Sequence, residues 1–383
     1  MNWEQIRNDF PVAKNTVYFQ SAGMSPLPNQ VLGSIIKAYT KLNQFGDIHF
    51  MEDLIETERL RGVLASMINT EADNINILPN NSFAMSLLAL SFKETISTPF
   101  NIVSMFDEFP SNTVPYEYKG IKMKYVLPNN SRFSVEDIMA TVDENTVAVV
   151  TSYVQFSTGF RQDLKKLGIL LKQKNILFIV NATQGFPLFK LDVKECNIDV
   201  MTCSIHKWGF IGHTGTIFYT SPEFREKFAS PIAGWLSIDT GKELIHAGKN
   251  EPFSMHSSAR RYITGTYNLQ TLMGLKTAMA YLNNVGFENI TLRLVELGDY
   301  LINKLNQAQI QIISPVDNVN ERSAIISITL GSELNSRVVS FLETKNIFTS
   351  IRSGVIRIAF NIFNNFEDID KLVDVLSEYK KTN

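Results

Sequence analysis

The stretch CSIHKWGFIGHTGT, residues 203–216, sets Lys207 between small hydroxyl residues and a glycine-bearing turn, with His206 at its shoulder. A solvated surface lysine needs no such setting. Lysine amines become nucleophiles toward carbonyl compounds when burial or neighbouring cations lower their pKa. Lys207 is therefore the first candidate catalytic residue. Three other segments carry polar groups directly after apolar runs. LPNNSFAMS (78–86) places Ser82 before a helical run, where its hydroxyl and nearby backbone N–H groups can meet an anion. FDEFPSN (106–112) and IVNATQGFP (179–187) follow in the same way, the latter with Asn181 at a strand end and Gln184 one turn later.

The elements that must position these groups alternate between two periodicities. NIVSMF (101–106), TVAVVTS (146–152), ILFIVN (176–181) and GTIFYT (215–220) read as buried strands. Between them DLKKLGILLKQKN (163–175) repeats leucine at helical spacing. Strand, helix and strand in this order predict an α/β fold with a mostly parallel sheet flanked by helices, and such sheets bind ligands beyond the carboxyl ends of their strands. Segments distant in sequence then converge. The texture changes near residue 255. NLQTLMGLKTAMAYLNNVG (268–286), SAIISITL (323–330), VIRIAF (355–360) and a terminal helix from about Glu367 predict a smaller α+β unit. The expected division is a large domain over 16–255 and a small domain built from 1–15 and 256–383.

Composition removes several classes of function. A formal charge of −2 over 383 residues gives no electrostatic ground for nucleic acid or an anionic membrane. No run is long and apolar enough to predict a transmembrane helix, and the polar start MNWEQIRNDF is no signal peptide. Two cysteines, Cys196 and Cys203, suit a reducing compartment, so cytoplasm is the expected location. His49, His213, His246 and His256 lack metal-ligand spacing with Cys or carboxylates, which argues against zinc. Gly209, Gly212 and Gly215 lack the strand-loop-helix setting of a dinucleotide loop, and no G-x-S-x-G element is present.

Taken in order, six segments resemble the class V aminotransferases, fold type I pyridoxal-phosphate enzymes that include cysteine desulfurases and isopenicillin-N-epimerase-like proteins. They are VYFQSAGMSPLP (17–28), EFPSNTVPY (108–116), VQFSTGFRQDL (154–164), the Asn181–Gln184–His206–Lys207 series, GTYN (265–268) and VIRIAFNIFNN (355–365). The resemblance implies pyridoxal 5'-phosphate as cofactor, held by Lys207 as a Schiff base, with the same amine later shuttling the substrate's α-proton. It implies that Ser82, Ser204 and His206 hold the phosphate, with Asn81 beside them. Phe109 falls where many members stack a histidine over the ring, Gln184 resembles the partner of the ring's 3-oxygen, and Asn181 takes the ring-nitrogen position. Arg357 matches the arginine that binds an amino-acid α-carboxylate, a task suited to its bidentate fork. Thr266 resembles a threonine that reaches the phosphate of the neighbouring subunit, which implies a homodimer with composite sites.

Three departures bear on the chemistry. Asn181 stands where the family usually has an aspartate, so the ring nitrogen is expected to be largely unprotonated unless a nearby carboxylate supplies the missing charge. Phe156 replaces a common asparagine, with Gln155 beside it. No cysteine follows Cys203, whereas desulfurases carry sulfur on a loop cysteine in that part of the chain. The expected activity is conversion of an amino acid by an aminotransferase, epimerase or lyase reaction. The alternatives are a carbon–sulfur lyase without the loop cysteine, or a catalytically weakened cofactor-binding protein.

Overall fold

A computed structural model of the chain describes residues 1–241 and 252–382; His246 lies outside the described residues. Two long helices come first, α1 (Asn29–Phe45) and α2 (Phe50–Met67). A seven-stranded sheet then forms from β1 (Ile75–Leu78), β2 (Asn101–Met105), β3 (Lys122–Val126), β4 (Thr146–Ser152), β5 (Leu177–Asn181), β6 (Val200–Ser204) and β7 (Thr216–Thr220). Its spatial order is β1-β7-β6-β5-β4-β2-β3. The five strands from β6 to β3 run parallel, and β7 is antiparallel to both its neighbours.

The parallel strands expected from the sequence are present because Val, Ile, Phe and Met fill both of their faces. Ile102, Val103, Val149, Val150, Phe178, Ile179 and Val180 are all fully buried. Helix α3 (Asn81–Thr95) contributes Ala84, Met85, Leu88 and Phe92 to one apolar cluster on the sheet, while α4 (Leu164–Gln173) packs Leu164, Leu167 and Leu171 into the larger cluster. Asn80 starts α3 by accepting the Phe83 N–H on its side chain, and Asp163 does the same for Lys166 at α4.

Beyond β7 lie α5 (Leu269–Val285) and α6 (Phe287–Gln307). A second, antiparallel sheet places Ile325–Thr329 between Gln311–Ile312 and Val355–Ala359, with Ser350–Arg352 on the outer edge. The terminal helix α7 spans Phe366–Thr382, and Arg7 near the start of the chain forks onto its Asp368 at 2.7 and 2.9 Å. Ser327 in that second sheet pairs with Arg357, whose Nη1 reaches Phe156 O, four residues beyond the carboxyl end of β4.

Candidate active site

Lys207 sits three residues past the carboxyl end of β6, in a turn closed by the Gly209 N–H donating to Ile205 O at 3.1 Å. A Cβ at Gly209 would lie 2.6 Å from that same carbonyl, so glycine is required for the turn to close. Trp208 beside it is fully buried and donates its Nε1 to Gln184 Oε1 at 2.9 Å, which locks the turn against the segment after β5. The Lys207 amine rests 5.2 Å from the centre of the Phe109 ring. Loss of solvation first, then the charges of Arg357 and Arg352, pull its pKa down to about 7.

Arg357 is 1 % exposed. Its Nη1 donates to Phe156 O at 2.9 Å and its Nε to Ser350 Oγ at 3.2 Å. Burial, followed by Arg352, draws its pKa down to about 9. Among the described residues no carboxylate forms an ion pair with Lys207, Arg352 or Arg357. A buried cation without a partner is costly. Three cationic groups gathered without one form a receptor for anions brought from outside.

Other predicted residues surround this centre. Phe109 is 42 % exposed and meets Phe156 edge-on at 5.5 Å, leaving its ring open toward the lysine. His206 packs on His213 at 4.3 Å between centroids, and burial, Lys207 and His213 hold it neutral with a pKa near 4. Ser204 ends β6, its N–H donating to Thr183 Oγ1 at 2.9 Å. Asn81 and Ser82 open α3, where helix N–H groups suit a phosphate. Asn81 Oδ1 and Gln155 Oε1 are buried without a hydrogen-bond partner. The orphaned amide oxygens can accept N–H or O–H donors of a polar ligand, while the unpaired cations fit its anionic groups. Gln184 is more committed than expected, since its Nε2 also donates to Ala22 O at 3.0 Å, leaving one N–H for a ligand.

Asn181 lies at the end of β5 and belongs to a buried chain of side chains that sequence reasoning did not identify. Its Nδ2 donates to Asn112 Oδ1 at 2.8 Å, and Asn112 Nδ2 donates to Glu108 Oε2 at 2.8 Å. Glu108 and Asn112 stand in the quoted EFPSN motif, but only contact across the sheet reveals their connection to Asn181. Thr266 lines a cavity of about 270 Å³ with Leu78, Pro79, Thr214 and Tyr262, and the residues of that cavity do not include Lys207. Among the described residues no group of His, Cys, Asp and Glu could hold a metal, and no helix is long and apolar enough to cross a membrane.

The low pKa of Lys207 has a consequence for the protein without cofactor. Between about pH 7 and the unfolded lysine's 10.5 the unfolded chain binds more protons at this site. The penalty on folding is thus complete below pH 7 and disappears as pH rises toward 10.5. Lys207→Met should raise the melting temperature of the cofactor-free protein at pH 6, with the gain shrinking by pH 10. An equal gain at both pH values would show that the amine is not desolvated.

The family model described as "Aminotransferase class-V" matches residues 17–372. A probable cysteine desulfurase of Pyrococcus abyssi is 24% identical over 99% of this chain and 98% of its own. The cysteine desulfurase from Thermococcus onnurineus NA1, solved without ligand, superposes with a TM-score of 0.90 at 19% identity, covering 99% of this chain and 98% of that one. A mutant of C-DES with glycine covalently linked to its PLP cofactor gives 0.87 at 19% identity, covering 97% and 99%. These structural likenesses establish the fold.

Proposed function

The chain belongs to the class V aminotransferase family, and from that premise we propose that it transforms a free α-amino acid at its α-carbon. It is a pyridoxal-phosphate-dependent enzyme with the fold type I architecture. When bound, the cofactor supplies an aldehyde that bonds to amines and a ring that draws electrons from the substrate's α-carbon. The observation that carries the reading is the desolvated Lys207 amine, with a pKa near 7, beside two arginines that have no carboxylate.

Lys207 would hold the aldehyde and, with its amine free again, would carry the α-proton. A base with its pKa near the working pH is well matched to that task. Arg357 binds the α-carboxylate. The N-terminal turn of α3 with Ser82, together with Ser204 and His206, holds the phosphate. Asn81 lies beside that group. Phe109 covers one face of the ring, and Gln184 offers its remaining N–H to the 3-oxygen. Asn181 meets the ring nitrogen. The same reading keeps the domain division near residue 255 and a cytoplasmic setting.

Transamination, epimerisation and elimination all begin with these steps. Sulfur transfer through a protein persulfide does not fit the thiols of this chain. Cys196 and Cys203 are its only cysteines, both are buried, and burial pushes them up to about 11 and about 12. Neither offers the accessible thiolate such chemistry requires. A panel of amino acids assayed for keto acid, ammonia, sulfide and change of enantiomer tests the proposal. No turnover of any member, in protein saturated with cofactor, would leave a binding protein.

The active unit in this reading is a homodimer. Leu32, Ile36, Tyr39, Leu42 and Phe45 recur along α1 and are all exposed, an apolar surface of the kind that subunits cover. Thr266 then serves the neighbour's phosphate. Mixing inactive Lys207→Ala and Thr266→Ala subunits should regenerate part of the activity in heterodimers, where one of the two sites escapes both substitutions. Full activity from a protein shown by sedimentation to be monomeric would exclude the composite site.

A further inference from the structure

We infer that Glu108 is a positioning residue which, through Asn112, fixes the amide of Asn181 so that an N–H donor faces the cofactor's ring nitrogen. The inference rests on the proposed placement of that nitrogen at Asn181.

The geometry of the chain sets its polarity from both ends. At one end the Thr183 backbone N–H, which can only donate, meets the Asn181 side chain at 3.1 Å. That atom must be the oxygen, Oδ1, and the other is Nδ2. Nδ2 donates one hydrogen to Asn112 Oδ1 at 2.8 Å. Asn112 must then turn its own Nδ2 to Glu108 Oε2 at 2.8 Å. At the far end the carboxylate also accepts the Ser152 N–H at 2.7 Å, the Ser152 hydroxyl at 2.6 Å and Gln155 Nε2 at 2.9 Å. Every link follows from donor and acceptor chemistry.

Glu108 is 7 % exposed, and burial raises its pKa while these bonds oppose the rise. The polarity does not depend on its charge, because a proton on Oε2 can go to Ser152 Oγ. One Nδ2 hydrogen of Asn181 remains for a ligand. A pyridine nitrogen there accepts it and stays unprotonated. Glu108 is thus no substitute for the missing aspartate's charge at the ring; it holds the asparagine in the orientation that keeps the nitrogen neutral.

Glu108 and Asn181 are consequently coupled. In Asn181→Asp an oxygen would face Asn112 Oδ1, and turning Asn112 over would set its oxygen against the Glu108 carboxylate. Glu108→Gln supplies a donor at that point, so the double variant can run the whole chain in reverse. Melting temperatures of cofactor-free wild type, Asn181→Asp, Glu108→Gln and the double variant form a cycle that needs no cofactor. The double variant should melt several degrees above the value obtained by adding the two single losses. Additive losses would overturn the coupling.

Cofactor labelled with 15N in the ring provides the second readout. In wild type the nitrogen should resonate at the unprotonated, higher-frequency position across pH 6–9, and in the double variant it should move to the protonated position. A protonated nitrogen in wild type would overturn the inference. Coupled stabilities with a ring signal identical in wild type and the double variant would leave the chain intact and remove Asn181 from the ring nitrogen. Failure to bind cofactor at all would instead strike the proposed function.

Discussion

Replacing Lys207 with alanine should abolish the covalent, borohydride-reducible attachment of the cofactor and lower turnover by about 10²–10⁴-fold from lost proton transfer alone. Two separate losses are combined in this variant. The first is the amine that would bond the aldehyde; without it, on the proposed reading, the α3 turn, Ser204, His206 and the ring contacts alone would hold the cofactor. Dialysis should therefore remove it more readily than from wild type. The second is the proton carrier, and the neighbouring Arg357, its pKa drawn down to about 9, still keeps its proton at neutral pH and cannot take over that task. Lys207→Arg should behave like the alanine variant, because a guanidinium neither bonds the aldehyde nor releases its proton. Peptide mapping after borohydride reduction is the measurement. An adduct found on another lysine in either variant would displace Lys207 from its role.

Much of this centre was legible in the sequence because the fold places it by rule. Asn181 and Lys207 each follow an apolar run that could only be a buried strand, and parallel strands bring such ends together. Arg357 was legible only through the resemblance of VIRIAFNIFNN to its family segment, since nothing in the strand itself, buried along all but its first residue, distinguishes a substrate-binding arginine from a structural one. The one strand of the large sheet that no reading anticipated is β3, at its edge, while β1 and β6 were marked only as the runs that end at LPNNSFAMS and at CSIHKWG. β3 reads KMKYV, with only Val126 buried, while β1 is only four residues long and carries Asn76.

The polar chain from Glu108 to Asn181 was hidden for a different physical reason. Glu108 and Asn112 sit in a turn after β2, whereas their partners Ser152 and Asn181 end β4 and β5. β4 adjoins both β2 and β5, so the three strand ends meet only once the order of the sheet is known. A buried glutamate in a sequence looks the same as a solvated one. Likewise the composite role proposed for Thr266 could not be read from one protomer, where it lines a cavity with Leu78, Pro79, Thr214 and Tyr262.

Arg357→Ala should weaken amino-acid binding by roughly 2–5 kcal/mol, the cost of leaving a carboxylate unpaired in a desolvated site. At about 1.4 kcal/mol per tenfold that is on the order of 30- to several-thousand-fold in kcat/KM. The guanidinium spends Nε on Ser350 Oγ and Nη1 on Phe156 O, so these two bonds hold its plane before any substrate arrives. The donors left over, chiefly on Nη2, are what a carboxylate would meet. Arg357→Lys should recover little, because a lysine cannot keep both anchors and still present a flat pair of donors. Cofactor absorbance should be unchanged in both variants, which separates substrate binding from cofactor binding. The variant carries a further signature in Lys207, since Arg357 is the largest charge that lowers its pKa. Removing that charge should move the lysine's titration upward, and with it the pH at which cofactor-free protein reacts with added pyridoxal phosphate. Unchanged kinetics together with an unchanged titration would mean that the arginine touches neither group, and the substrate would then have to be an amine without a carboxylate.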